Sequence, residues 1–170
     1  MTATSQTHRL YTVWTSPIGE LQLHGDERAL TAIDLPGRHR RPDGAVRAAT
    51  STPAFARVIA QLDEYFTGQR TVFDLPLAPK GSRFDRAVWT RVQAIPYGET
   101  LSYAALAQAI GRPDRARAVG GANARNPLPI IVPCHRVIGS DGSLTGYAGG
   151  LDRKRALLAL ERGGWQDTLL

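Results

Sequence analysis

Pro127-Leu-Pro-Ile-Ile-Val-Pro-Cys-His-Arg-Val-Ile138 is the stretch around which the rest of the chain is organised. An apolar run, stiffened near its ends by Pro127 and Pro133, delivers the only cysteine of the chain, Cys134, followed at once by His135 and Arg136. A free cysteine ordinarily packs as a small hydrophobe, so burial as core filler is the plain reading of Cys134. The flanking imidazole and guanidinium argue for another. Thiolate is the reactive form, cationic neighbours favour it, and a rigid segment is a good mount for a nucleophile. The expectation is an electropositive, readily ionised Cys134.

Upstream of this stretch, Ser82 caps a helix whose Phe84, Val88, Trp89 and Val92 share one face, and Ile95-Pro96-Tyr97-Gly98 breaks it. Ser102 caps a short helix through Ala105, Leu106, Ala109 and Ile110, which Gly111 ends. Pro113-Asp114 opens another that runs to Asn123 or Ala124. Two short helices joined by Gly-Arg-Pro-Asp predict a helix-turn-helix. Asn126 must leave the helical region because Pro127 follows it. Downstream, Ile138-Gly-Ser-Asp-Gly-Ser143 predicts a hairpin turn, and Gly146 to Gly150 a flexible loop. A final helix begins at Asp152 with Ala156, Leu157, Leu158 and Leu160 inward, and ends at Gly163-Gly164.

The N-terminal part has a different rhythm. Leu10 to Thr15, Glu20 to His24 and Ala29 to Leu35 read as strands separated by short turns, which predicts an antiparallel meander. Residues 36–52 show no period and carry four arginines, the pattern of a mobile, solvated loop. Thr52-Pro53 opens a helix with an apolar stripe of Phe55, Val58, Ile59, Leu62, Tyr65 and Phe66, and Gly68 ends it. Val72 to Leu77 reads as one more strand. Pro76, Pro79 and Gly81 mark a linker, which predicts an α/β domain over 1–80 and a mainly α domain over 81–170.

A chain of 170 residues can build such cores. No apolar run approaches a membrane span, and the N-terminus lacks an apolar signal region, so the expected location is the cytoplasm. A single cysteine permits no internal disulfide and no thiolate zinc site. Residues 1–80 hold nine basic and eight acidic groups, and 81–170 hold twelve and seven, so the net charge of +6 sits mostly in the half with Cys134. That excess favours a polyanionic partner over a merely solvated surface only when joined to a site.

Such a site is offered by Asp114-Arg-Ala-Arg-Ala-Val-Gly-Gly-Ala-Asn123. A major-groove reader presents long polar side chains, whereas this helix presents Ala116, Ala118, Gly120, Gly121 and Ala122. Small residues permit close backbone approach, either to a neighbouring helix or to the minor groove. Arg115, Arg117 and Arg125 at its edges favour phosphates and the groove.

Pro133-Cys134-His135-Arg136-Val137 resembles the active-site motif of the O6-alkylguanine-DNA alkyltransferases. Arg117 to Asn123, Asn126-Pro127, Gly146-Tyr147-Ala-Gly-Gly150 and Leu158-Ala-Leu-Glu161 resemble the family's other blocks in order and spacing. The resemblance implies a ribonuclease H-like N-terminal domain and a winged-helix-like C-terminal domain. It implies stoichiometric, suicide transfer of a methyl or larger alkyl group from O6-alkylguanine, and from O4-alkylthymine, to Cys134. His135 and Glu161 would complete a Cys, water, His and Glu relay, and Tyr103 would donate a proton to the departing base. The helix would enter the minor groove of duplex DNA, with Arg117 filling the gap of the flipped nucleotide and Ala116, Ala118, Gly120, Gly121, Ala122, Asn123 and Arg125 against the DNA. Tyr147, Val137, Ala148 and Gly149 would form the base pocket, and Asn126, Pro133 and Arg136 would support it. Ala148 stands where some relatives have Ser, so one hydroxyl contact is lost. The resemblance implies no cofactor, no metal, no membrane partner, and a monomer in solution able to bind DNA cooperatively. The zinc ligands that some relatives carry are missing here.

Three other readings compete. A non-catalytic damage-binding module would replace the cysteine, and Cys134 is present. A Cys-His hydrolase needs the two residues apart in sequence, and here they adjoin. A helix-turn-helix transcription factor needs a base-reading helix, and this one is built of Ala and Gly.

Overall fold

The structure is a computed structural model that describes residues 9–40 and 43–164. The polar N-terminal segment, His8 and Arg41 lie outside these residues. Strands β1 (Leu10–Ser16), β2 (Gly19–Gly25) and β3 (Leu30–Asp34) form the expected meander, with Trp14 opposite Leu21 and Leu23 opposite Ile33. A short β4 (Val46–Arg47) pairs with β1 in parallel, so the sheet, ordered β3-β2-β1-β4, is mixed rather than purely antiparallel. Period-two alternation predicts one wet face for β2, yet Gln22 and His24 are buried along with Leu21 and Leu23. Residues 35–40 fold back over that second face. Gln22 Nε2 donates to the Arg40 carbonyl at 2.6 Å, and His39 bonds the Glu20 carbonyl at 3.0 Å. This part of the 36–52 segment is docked by polar contacts that leave no hydrophobic period to read, which corrects the expectation of a free loop.

Helix α1 (Pro53–Phe66) lays Phe55, Val58, Leu62, Tyr65 and Phe66 into the core. Its start rests on Pro53 at the first turn, because Thr52 makes no side-chain cap. The strand expected over Val72 to Leu77 reduces to one bridge, Leu30 to Leu77. Pro76 has no N–H for a ladder and Val72 is 73% exposed, so neither hydrogen bonding nor burial extends the pairing.

In the second half, α2 (Arg83–Gln93) starts with a reciprocal cap. Ser82 Oγ accepts from the Asp85 amide, and Asp85 accepts from the Ser82 amide. Trp89 Nε1 donates to the Ala122 carbonyl at 2.8 Å and so ties α2 to the helix-turn-helix. That pair is α3 (Tyr103–Ala109) and α4 (Ala116–Ala124). A 3-10 turn over Pro113–Arg115 precedes α4, which begins two residues later than Pro113-Asp114 suggests. Ile138 belongs to β6 (Val137–Ile138), which pairs in parallel with β5 (Leu101–Ser102). The 138–143 turn is present, with the Gly139 amide donating to the Ser143 carbonyl, but among the described residues no strand follows it to complete a hairpin. Helix α5 (Leu151–Glu161) buries the expected Ala156, Leu157, Leu158 and Leu160 together with two charged residues, Lys154 and Glu161, which share a stripe with Leu157 at helical spacing.

One continuous apolar cluster joins the halves, from Ile18 and Leu21 to Leu157 and Leu160. A backbone bond from the Ile33 amide to the Pro127 carbonyl, 2.8 Å, stitches the edge strand directly to the cysteine segment.

Candidate active site and nucleic-acid face

Asn126 shapes the cysteine segment. Its Nδ2 donates to the Val132 carbonyl at 2.7 Å while its Oδ1 accepts from the Leu128 amide at 3.0 Å. The loop so closed forces Ile130 to φ 76°, rare for a β-branched side chain and costing about 1–3 kcal/mol, offset by complete burial of that side chain. Cys134 follows Pro133 at the start of a 3-10 turn, and Asn123 Nδ2 holds its carbonyl at 3.2 Å. Cys134 opens onto a cavity of about 410 Å³, with Asn123, Pro129, Tyr147 and Ala148 among its walls.

Behind the cysteine, Glu161 is a buried hub. Its Oε1 accepts from His135 Nε2 at 2.6 Å, Tyr65 Oη at 2.7 Å and Arg136 Nη2 at 3.0 Å. Its Oε2 accepts from Arg136 Nε at 2.8 Å and the Gly98 amide at 3.1 Å. Burial pushes this carboxyl up, but the hydrogen bonds and charges of His135 and Arg136 outweigh it and hold Glu161 at about 2. Burial also lowers the His135 pKa against the pull of Glu161, so the ring is neutral. An ionised carboxylate only accepts, so His135 carries its proton on Nε2. Nδ1 is then a bare, buried lone pair with no partner among the described residues. Tyr65 stays protonated, because burial and the neighbouring Glu161 both raise its pKa.

The thiol itself departs from the expectation of easy ionisation. Burial pushes Cys134 up to about 11, only partly countered by Asn126 and Lys154. The adjacent imidazole and guanidinium do not serve it as their sequence position suggests, for both His135 and Arg136 are spent on Glu161.

On α4, Arg117 and Ala118 are exposed and Ala116, Gly120 and Gly121 partly so. Ala122 is fully buried and Asn123 is 2% exposed, so these two are corrected from the outer face to the inner one. The reason is helical phase: with Val119 they form the inward stripe. Arg125 pairs with Asp85 at 2.6 Å, its guanidinium still largely in solvent. Tyr103 opens α3 with its hydroxyl donating to the Thr145 carbonyl at 3.1 Å, and a Cβ on Gly120 would sit 3.6 Å from its ring. Arg117 makes no ion pair among the described residues.

Tyr147 and Ala148 line the cavity, but Val137 and Gly149 do not. Val137 is buried, its amide spent on the Cys134 carbonyl and its carbonyl on Lys154 Nζ at 2.6 Å. Gly149 supports from behind, where a Cβ would lie 2.7 Å from Leu35. The sequence reading passed over Tyr65, Lys154, and the turn after β3, whose Asp34, Arg38 and Arg40 border the same cavity. Lys154 had a signal, a cation on the apolar stripe of α5. The turn after β3 has none, because its contacts are polar and follow no period.

Two family profiles match. One, described as 6-O-methylguanine DNA methyltransferase, ribonuclease-like domain, covers residues 9–79. The other, described as 6-O-methylguanine DNA methyltransferase, DNA binding domain, covers residues 83–163. The methylated-DNA–protein-cysteine methyltransferase of Mycolicibacterium paratuberculosis is 53% identical over 86% of this chain and 88% of its own length. That of Methanosarcina acetivorans is 46% identical over 89% and 97%. The crystal structure of Mycobacterium tuberculosis OGT in complex with DNA superposes with a TM-score of 0.88 at 45% identity, covering 94% of this chain and 98% of that one. With both halves matched in order, and a buried cysteine backed by a His–Glu pair beneath a cavity, this chain belongs to the 6-O-methylguanine DNA methyltransferase family.

Proposed function

We propose that the protein repairs DNA by moving the alkyl group of O6-alkylguanine onto Cys134, one lesion per chain. In this reading residues 1–80 form the ribonuclease-like domain and 81–170 the DNA-binding and reacting domain, and the protein works in the reducing cytoplasm, where DNA and thiols meet. The carrying observation is the neutral His135, clamped by Glu161 on one nitrogen and bare on the other, next to a thiol too buried to ionise alone. Burial holds the thiol protonated at neutral pH. Proton removal must therefore accompany attack. His135 Nδ1 takes the thiol proton through one solvent molecule. The sulfur pair forms an S–C bond while the C–O6 bond breaks, and its electrons pass to guanine, which takes a proton from Tyr103. The products are a thioether and unmodified guanine, so nothing regenerates the thiol.

An O6 substituent inside a stacked duplex is out of reach of Cys134, so the nucleotide is extruded. Arg117 at the exposed edge of α4 enters the space it leaves, with Ala116, Ala118, Gly120 and Gly121 against the minor groove. Arg125 touches phosphate. The protein acts as a monomer without cofactor or metal. Cys134→Ala should keep binding to an O6-methylguanine duplex and lose all transfer. Continued transfer by that variant would move the nucleophile elsewhere.

A further inference from the structure

The cavity above Cys134 has a wall from the other half of the protein. β3 ends in Asp34, and the chain turns back at once, the Arg38 amide donating to the Leu35 carbonyl at 3.0 Å. Asp34 then clamps the turn. Its carboxylate accepts from the Arg40 amide at 2.9 Å and from Arg40 Nη2 at 2.8 Å, and His24 Nε2 lies 3.1 Å away. Leu35 packs against Gly149, so the turn is registered against the loop that carries Tyr147 and Ala148.

The clamp decides where the charge goes. Asp34 is the only acid bordering the cavity among the described residues, and it is already matched by Arg40. Arg38 borders the same cavity, is exposed, and makes no ion pair among the described residues. Among the described residues, the rim above the thiol is thus left with the Arg38 guanidinium uncompensated, on a pinned turn. A free guanidinium on a fixed stretch of backbone suits planar, paired anionic oxygens.

We infer that Arg38 is a substrate-binding residue that takes an anionic oxygen of the lesion-bearing nucleotide, with Asp34 as its positioning residue. This rests on the reading of the site as an O6-alkylguanine pocket. Two parts of that substrate present such oxygens: the phosphodiester beside the extruded nucleotide, and an O6 substituent that itself ends in a carboxylate.

The test measures single-turnover transfer rates for wild type, Arg38→Ala and Arg38→Lys on three substrates. These are free O6-benzylguanine, which has no anion, a duplex with O6-methylguanine, and a duplex with O6-carboxymethylguanine. Loss of one charge-assisted contact should slow Arg38→Ala about tenfold, with Arg38→Lys between it and wild type. A tenfold loss on both duplexes with an unchanged free-base rate assigns the contact to phosphate. A loss confined to the carboxymethyl duplex assigns it to the substituent. Equal loss on all three substrates, or no loss on any, overturns the inference. Asp34→Asn, which frees the turn without touching Arg38, should reproduce the same substrate pattern more weakly. A wild type inactive on all three substrates would instead defeat the underlying reading of the pocket.

Discussion

Arg117 on α4 stands in solvent with no ion pair among the described residues, while Arg136, behind Cys134, gives two hydrogen bonds to Glu161 and one to the Ile95 carbonyl at 2.6 Å. The same side chain thus does opposite work in two regions. On the exposed face a guanidinium is left free so that a polyanion can use it, and it contributes nothing measurable to folding. In the interior it is desolvated, matched, and bound into the network that sets the charge state of His135. The lesson is that stability and chemistry are separable on α4 and inseparable around Glu161.

Substitutions sharpen that contrast. Glu161→Gln leaves the Arg136 charge buried without its partner, so unfolding free energy measured in denaturant should fall by about 3–5 kcal/mol, and alkyl transfer should slow sharply. The pH dependence should change with it. Glu161 sits at about 2 when folded and near 4.5 otherwise, so its stabilising effect is present above about 4.5 and is lost as the pH falls toward 2. Burial of neutral His135 acts in the same direction below its unfolded value of 6.5. Titrating stability from pH 7 to pH 2 should therefore give a steep decline in wild type and a shallower one in Glu161→Gln. Equal slopes would remove Glu161 from the hub.

Arg117→Ala should leave the melting temperature unchanged and slow repair in duplex DNA about tenfold, while the reaction with free O6-benzylguanine keeps its rate. Equal losses on both would strip Arg117 of its role in extrusion. Tyr65→Phe deletes one of the five hydrogen bonds to Glu161, so about 1 kcal/mol of stability should go, with a several-fold slower transfer. Arg125→Ala should cost the least, within about 1 kcal/mol in either readout, because its guanidinium is 60% exposed even while paired with Asp85.

What could be read from the sequence follows the same division. Helix caps at Ser82 and Ser102, the stop at Gly111 and the stripe of α1 are local, and local chemistry fixes them. Glu161 stands at a helix end, where an acid is ordinarily solvated, yet its spacing of seven from Lys154 and four from Leu157 places it on the buried stripe. Charged residues on an apolar stripe were the available sign that α5 serves the site. Ala122 and Asn123 turn inward because helical phase groups them with Val119, which a run of small residues does not reveal. The Tyr65 contact spans 96 residues, and the closing of residues 35–40 over β2 depends on side-chain-to-backbone bonds such as Gln22 to Arg40, so neither leaves a periodic trace. The direction of the Cys134 shift is likewise hidden, since adjacency in sequence says nothing of how deeply the thiol is buried or that Glu161 claims both the neighbouring imidazole and the guanidinium.

The most direct measurement is the intact mass of the protein after incubation with an excess of an O6-methylguanine oligonucleotide. The account predicts a gain of one methyl group per chain, located on Cys134, with no second addition on prolonged incubation. A mass that stays unchanged while the oligonucleotide remains bound would contradict it, and so would a methyl group mapped to any other residue.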